Sequence, residues 1–369
     1  MSQRSISDSK PRNDKTLACA LVCDHKLAIP AGGLAARIAK LWNVDVHIFV
    51  ERPEGNRAPI METQAARVTY HYEELFTGLH DILPDHPRFS RAAWGRIFIP
   101  EKLSNYHKIL YCDVDVLPGP FPTGIEDILL PNGIAMVRDG DLGWSGVRQI
   151  GRESKNLPTC RELNKYHNSG VILFDPSKLD FPALLSGLTE FLAMGGADAA
   201  FPDQDFLNYF FANRVTELSP NLNFQQSIMG HGIDTTTPTI RHFCHSAKPY
   251  HSLPRYGVSE IARTASLEFH LMVEEAGLTI PKLKPYDKTL FFRGIKASWR
   301  NAAGQMGIKF PKERQLTARW WDKRKQTLEY IREGVAQGRF ADANVFDLNP
   351  PEPQLRFNGL EVLPVNGRM

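Results

Sequence analysis

The stretch that most constrains this chain is Lys108-Ile109-Leu110-Tyr111-Cys112-Asp113-Val114-Asp115-Val116-Leu117-Pro118. The run from Ile109 reads as a buried strand, and Pro118-Gly119-Pro120 ends it. In an extended segment residues i and i+2 point to the same side. Asp113 and Asp115 would then present two carboxylates to one point at the C-terminal end of a core strand. In open α/β sheets that end is where ligands bind. Two carboxylates there repel each other unless a cation lies between them. Mg²⁺ or Mn²⁺ suits such oxygen donors, together with phosphate oxygens. Taken singly, a D-x-D is more often a solvated turn, and it is the apolar strand before it that gives this one weight.

The segments around it alternate between strand and helix patterns. Thr16 to Cys23 reads as a first strand ending in Asp24, and Leu34 to Trp42 has helical spacing after Gly32-Gly33. Val44 to Val50 and Val68 to Tyr72 read as further strands, and Phe89 to Leu103 as a helix interrupted by Gly95 and Pro100. After the aspartates come a short helix near Ile125 to Leu130, strands at Ile134 to Arg138 and Asn168 to Asp175, and a helix from Leu179 to Met194. Strands separated by helices predict parallel βαβ units and an α/β fold. No G-x-G-x-x-G follows the first strand, so the dinucleotide-binding fingerprint is missing. Gly140 to Tyr166 reads as a long irregular segment of the kind that serves as a binding loop or lid.

Two later stretches carry chemistry. Asp203-Gln204-Asp205 opens a helix, where first-turn carboxylates are favourable. That explains one aspartate, but not both together with Gln204. His242, His245 and His251 then cluster with Lys248 around a small-residue loop after a strand at Ile240. A lone histidine is usually structural; a cluster beside a lysine is a candidate for metal and phosphate contact.

These stretches, in order, resemble glycosyltransferase family 8, retaining enzymes with a GT-A nucleotide-sugar fold. Arg91-Ala92-Ala93-Trp94-Gly95-Arg96-Ile97-Phe98-Ile99-Pro100-Glu101 is similar to the family's A-x-Y-x-R-L-x-x-P-E helix. The D-x-D strand, Asn168-Ser169-Gly170-Val171 and Asp203-Gln204-Asp205 follow, and His242 to Tyr250 resembles H-F-x-G-x-x-K-P-W. The resemblance implies a GT-A (Rossmann-like) domain with a mixed sheet over residues 16–252. It implies that Asp113, Asp115 and His242 hold a divalent ion, Mn²⁺ or Mg²⁺, and that Lys248 contacts the diphosphate. Arg96 and Asn168 would touch donor sugar or phosphate, Asp203 and Gln204 the reacting face of the sugar, and Asp24 the nucleotide base. Asp139 would be a carboxylate facing donor or acceptor.

The reaction implied is transfer of a hexosyl or uronosyl group from a nucleotide diphosphate sugar, a UDP-sugar in most of the family, to a glycan or glycolipid acceptor such as lipopolysaccharide or surface polysaccharide. Two departures bear on this. His245 replaces the family's glycine, and Leu27 stands where a tyrosine commonly stacks on uracil. They leave room for a non-catalytic sugar-nucleotide or glycan binder of the same fold. Tyr111 to Val116 also resembles the D-x-D-x-[TV] motif of haloacid-dehalogenase-like phosphatases, which place it on the first strand of the chain.

The rest of the chain sets the context. Its 369 residues, 42% hydrophobic, suffice for one large α/β domain with an appendage. A net charge of +3 does not call for nucleic acid as partner, and no run of 18 or more apolar residues is present. Residues 1–15 read as a disordered leader without an apolar signal core. Five cysteines without a C-x-x-C pair fit a reducing compartment, so a cytoplasmic protein is expected. Residues 253–340 read as a helical, basic and aromatic appendage, with helical character from Thr317 to Gln337. From Lys282 to Arg339 there are fifteen Lys/Arg against five Asp/Glu, with Trp299, Trp320 and Trp321 among them. Two readings follow: peripheral contact with the anionic inner face of a membrane, or aromatics packed on the main domain. Residues 341–369 read as a loosely ordered tail.

Overall fold

Alternation of side chains along the first strand sets the architecture. In β1 (Lys15–Asp24), Cys19, Leu21 and Cys23 face one apolar cluster while Ala18, Ala20 and Val22 face another. A strand buried on both faces belongs in the middle of a covered sheet. The computed structural model describes residues 15–51, 61–72, 83, 90–140, 165–231, 233, 238–245, 247–251, 260–281, 311–342, 355–357 and 360–362. Residues 1–14 of the expected leader, the Gly140 to Tyr166 loop over residues 141–164, and Trp299 lie outside them, whereas Lys15 opens β1.

β1 is joined by β2 (Asp45–Glu51), β3 (Val68–His71), β4 (Tyr106–Cys112), β6 (Ile134–Arg138), β7 (His167–Phe174) and β8 (Thr216–Leu218) in a seven-stranded sheet of order β3-β2-β1-β4-β7-β6-β8. The first four of these strands pair in parallel, as the βαβ pattern predicts, and β7 runs antiparallel to both β4 and β6. A smaller sheet, β5-β10-β9, is made of Val116–Pro118, Phe224–Gln225 (β9) and Ile240–His242 (β10).

Helix α1 (Ala28–Trp42) starts earlier than its periodicity suggests and includes Gly32-Gly33. Pro30 is tolerated in the first turn. Gly33 is required by packing, since a Cβ there would lie 2.8 Å from Val273 Cα on α6 (Glu260–Glu275). Phe269, Met272 and Val273 of α6 join the same apolar cluster as β1. The opposite face of the sheet is covered by α3 (Phe181–Ala193) and α4 (Pro202–Phe210), with Phe191 and Phe206 buried against it. Full burial of such side chains contributes about 1.5–3 kcal/mol each. The expected helix at Phe89 to Leu103 is instead a 3-10 segment, Arg91–Ile97, followed by one short α-helical turn, α2 (Ile99–Lys102), divided where Pro100 and Gly95 disfavour a continuous helix.

The C-terminal helix, which becomes α7 after the short α5 (Gln226–Gly230), spans Pro311–Ala336. Trp320 is buried, and its indole N–H donates to Gly230 O at 2.7 Å. Tyr330 donates to Glu217, and Arg138 lies over the Tyr330 ring at 5.2 Å. Trp320 thus packs on the protein instead of facing a bilayer, while Trp321 is half-exposed. No described helix is long and apolar enough to cross a membrane. In the tail, Leu355–Phe357 and Leu360–Val362 pair as an antiparallel hairpin. Composition obscures it, but Asn358-Gly359 between the two runs is a strong hairpin signal.

His167 gives a stability prediction. Burial holds its imidazole pKa down at about 4. The folded chain therefore stays neutral at His167 while the unfolded chain takes up a proton near pH 6.5. Stability from this group is intact above that pH and falls as pH drops from 6.5 towards 4, by on the order of 3 kcal/mol. Urea denaturation at stepped pH values is expected to show a shallower acid slope in His167→Gln.

Candidate active site

The two aspartates do not sit within a strand. β4 ends at Cys112 in the large sheet, and β5 begins at Val116 in the small one. Residues 113–115 form the turn between them. The turn, and not strand alternation, brings the carboxylates together. It is fixed at both ends: Asp113 N–H donates to Gly170 O at 2.8 Å, and Phe243 N–H donates to Asp115 O at 3.0 Å.

β10 pairs with β5 so that His242 lies opposite Val116. This delivers its ring to the turn, with Nε2 3.3 Å from Asp115 Oδ1 and 3.9 Å from Asp113 Oδ2. One ligand atom from each of the three residues lies within 4.8 Å of the others. Asp115 Oδ1 is buried and accepts no hydrogen bond. Gly170 makes the approach possible, because a Cβ there would stand 2.1 Å from the His242 ring.

Hydrogen bonds select the tautomer of that ring. The Gly170 backbone N–H donates to Asn168 Oδ1 at 3.0 Å, which fixes that amide. Asn223 must then donate its Nδ2 to the same oxygen, at 2.9 Å, leaving its own Oδ1 facing His242 Nδ1 at 2.9 Å. Nδ1 therefore carries a proton and donates to Asn223, which turns the Nε2 edge of the ring towards the carboxylates. An imidazole nitrogen and two carboxylates, one of them with an unsatisfied buried oxygen, form a donor set that fits a divalent ion such as Mn²⁺ or Mg²⁺.

Two cations balance the acidic groups. Lys248 pairs with Asp115. Burial opposes ionisation of Asp115, but Lys248 and then His242 outweigh it and hold its pKa below the ordinary carboxylate range. Arg96 reaches Asp113 at 3.0 Å and Asp203 at 3.2 Å, and it also donates to Ser169 O and Oγ at 2.7 Å each. Burial pushes the Asp203 pKa up, partly offset by Arg96. Asp203 and Asp205 divide their work: Asp205 accepts from Tyr166 Oη at 2.6 Å and from Phe201 N at 3.1 Å, whereas Asp203 faces Arg96. Gln204 accepts from Ser169 N at 2.9 Å and donates to Tyr166 Oη at 3.0 Å and Asp139 Oδ2 at 3.4 Å. Asn168 donates to the same Asp139 oxygen at 3.2 Å.

Nine of the ten candidate residues are thus joined by direct contacts or through Ser169 and Asn223. Asp24 stands apart. Its carboxylate accepts from Lys26 N and Leu27 N at 3.0 and 3.2 Å, capping a 3-10 turn. Its charge is felt at Tyr250, where burial raises the phenol's pKa, Lys248 opposes the rise, and Asp115, Asp113 and then Asp24 add to it. Leu27 packs on the core and His245 is exposed. Three contributors went unread in the sequence. Tyr111 donates to Asp113 Oδ1 at 2.6 Å, a partner that the i, i+2 spacing in Tyr-Cys-Asp would have offered. Asn223 has no local signal, because its contact with His242 spans 19 residues. Ser169 sits where the β6–β7 register shifts, between Met136 opposite Ile172 and Val137 opposite Asn168. Such bulges re-aim side chains.

The comparisons with known proteins agree with this geometry. The family model described as glycosyl transferase family 8 matches residues 18–253, most of the chain. The chain belongs to glycosyl transferase family 8 and is a glycosyltransferase. Among solved structures it is similar to galactosyltransferase LgtC in complex with donor and acceptor sugar analogs. The TM-score is 0.54 at 19% identity, covering 72% of this chain and 98% of that one. A structure of an active-site mutant of LgtC, glutamine to glutamate, matches with TM-score 0.54 at 18% identity and the same coverage. These similarities identify the fold as GT-A-like. Among curated proteins, none matches the sequence.

Arg96 is the buried cation between two carboxylates. Removing one partner of such a group leaves uncompensated charge, at about 3–5 kcal/mol. Arg96→Met is expected to lower the unfolding free energy by that order, read from the urea midpoint.

Proposed function

We propose that this glycosyltransferase moves a hexosyl or uronosyl group from a nucleotide diphosphate sugar, a UDP-sugar in the first instance, to a glycan acceptor of the lipopolysaccharide or surface-polysaccharide type. In this reading transfer retains the anomeric configuration and depends on Mn²⁺ or Mg²⁺. The observation that supports it most is the group formed by Asp113, Asp115 and His242, with ligand atoms within 4.8 Å of one another. The residues beside that group complete the case.

Asp113, Asp115 and His242 would hold the ion. When bound, it supplies Lewis-acid screening of the charge that develops on the departing diphosphate. Lys248, now paired with Asp115, is a compact positive charge at the same end and would turn to a phosphate oxygen. Arg96 and Asn168 would orient the donor. Asp203 and Gln204 would line the sugar face where positive charge builds at the anomeric carbon, and their oxygens stabilise that charge. Asp139 would face donor or acceptor, and Asp24 the nucleotide base. The glutamine-to-glutamate change named as an active-site mutation in LgtC is in keeping with the role given to Gln204.

A panel of nucleotide sugars with Mn²⁺, scored by thermal shift and by nucleotide release, tests this reading. At least one donor is expected to raise the Tm and to be turned over, and Asp115→Asn to lower turnover by about 10²–10³-fold. If no nucleotide sugar stabilises the protein, the donor assignment fails. Asn223→Ala frees the His242 ring and is expected to raise the Mn²⁺ concentration needed for half-activity by about 10–100-fold.

A further inference from the structure

A guanidinium taken out of water needs a counter-charge or hydrogen-bond acceptors. Arg96, 7% exposed, has two carboxylates. Arg324 on α7 is just as buried, at 7%, yet its Nε has no partner. Among the described residues no carboxylate pairs with it, and its guanidinium carbon lies 6.0 Å from the centre of the Trp321 ring. Burial and then the like charge of Arg332, two turns along the helix, weaken its hold on its proton.

The place of Arg324 in the fold is well defined. It lies on the helix face that carries Trp320, Thr327 and Tyr330, all buried. Trp320 contacts Gly230 at the end of α5, and Tyr330 contacts Glu217 beside Arg138 at the end of β6. At 1.5 Å per residue, Arg324 is about 6 Å along the axis from the first contact and about 9 Å from the second. It therefore faces the ground between α5 and the C-terminal end of β6. Two further buried polar atoms without partners lie on α5, Gln226 Oε1 and Ser227 Oγ. Ser227 abuts the strand end that carries Asp139, because a Cβ on Gly140 would stand 2.5 Å from its Oγ.

Three buried polar atoms without hydrogen-bond partners, Arg324 Nε, Gln226 Oε1 and Ser227 Oγ, thus lie on α7 and on the α5 segment that adjoins Asp139. Phosphate and carboxylate oxygens match the guanidinium fork. Sugar hydroxyls match an amide oxygen and a serine. We propose that α7 completes the acceptor end of the cleft, with Arg324 binding a phosphate or carboxylate substituent of the glycan acceptor and Gln226 and Ser227 binding its hydroxyls. This rests on the acceptor reading above and names the chemical class of that acceptor.

The test titrates glucose 6-phosphate, glucuronate and neutral glucose into the full chain, its Arg324→Met variant and its Lys248→Ala variant, followed by calorimetry and thermal shift. At least one sugar anion is expected to bind wild type and Lys248→Ala alike, glucose not to bind, and Arg324→Met to lose affinity by about tenfold or more. The better anion distinguishes a phosphorylated from a uronate-bearing acceptor. In anion-free buffer Arg324→Met is expected to raise the Tm, since it removes a buried cation that has no carboxylate partner and only the Trp321 ring against it; a purely structural arginine would give a fall. The proposal is overturned if neither anion binds, if Arg324→Met binds as wild type does, or if the loss falls on Lys248→Ala instead. Arg324-dependent binding to phosphatidylglycerol vesicles but to neither sugar anion would also overturn it. Failure of every nucleotide sugar to bind would remove the transferase reading alone and leave the Arg324 result standing.

Discussion

Carboxylates held away from water must be matched by positive charge or by a ligand, and the region where the chain leaves β4 is built around that requirement. Asp113 and Asp203 share Arg96, and Asp115 takes Lys248. His242 stands close to both aspartates of the turn with its Nε2 towards them. The balance leaves one buried oxygen of Asp115 without a hydrogen bond. Much of the surrounding structure follows from that arrangement, including the glycine opposite the imidazole and the chain of amides that orients it.

How much of this was legible in the sequence depended on the range of the interaction. β1, β2, β4, β6 and β7 follow from apolar runs, and the parallel pairing of β1 with β2 and β4 follows from alternation with helices, whereas the sheet order and the antiparallel β7 do not. Local patterns of this kind record burial on one or both faces of an element. The D-x-D was legible as a feature but not as a geometry: Pro118-Gly119-Pro120 ends β5 in a second sheet, and the aspartates occupy the turn before it. Asn223 was illegible because nothing near it in the sequence distinguishes an amide that orients a distant ring. The resemblance to a family supplied His242 and Lys248 as partners of the turn. Composition alone left them as members of a histidine-rich loop.

The C-terminal helix is a case where composition and placement diverge. Its excess of Lys and Arg suggested a charged outer surface, yet the residues that decide its position are Trp320, Tyr330 and Ile331, all buried. Tyr330 reaches Glu217, which also lies within 3.3 Å of Arg138. A helix read as an appendage is thereby tied to the strand that leads into Asp139. Basic composition describes the solvated faces of α7, and the aromatic positions describe how it is seated.

The turn that carries Asp113 and Asp115 spans two sheets. Asp113 is pinned to β7 of the large sheet through Gly170, whereas Asp115 and His242 hang from neighbouring strands of the small one. The three donors are therefore mounted on two plates, like the sides of a caliper. Sliding one plate against the other changes the gap between Asp113 and the remaining pair while keeping Asp115 and His242 in step. The Asn168–Asn223 bond crosses the same seam, so the stitch that orients the imidazole also sets the width of the jaws.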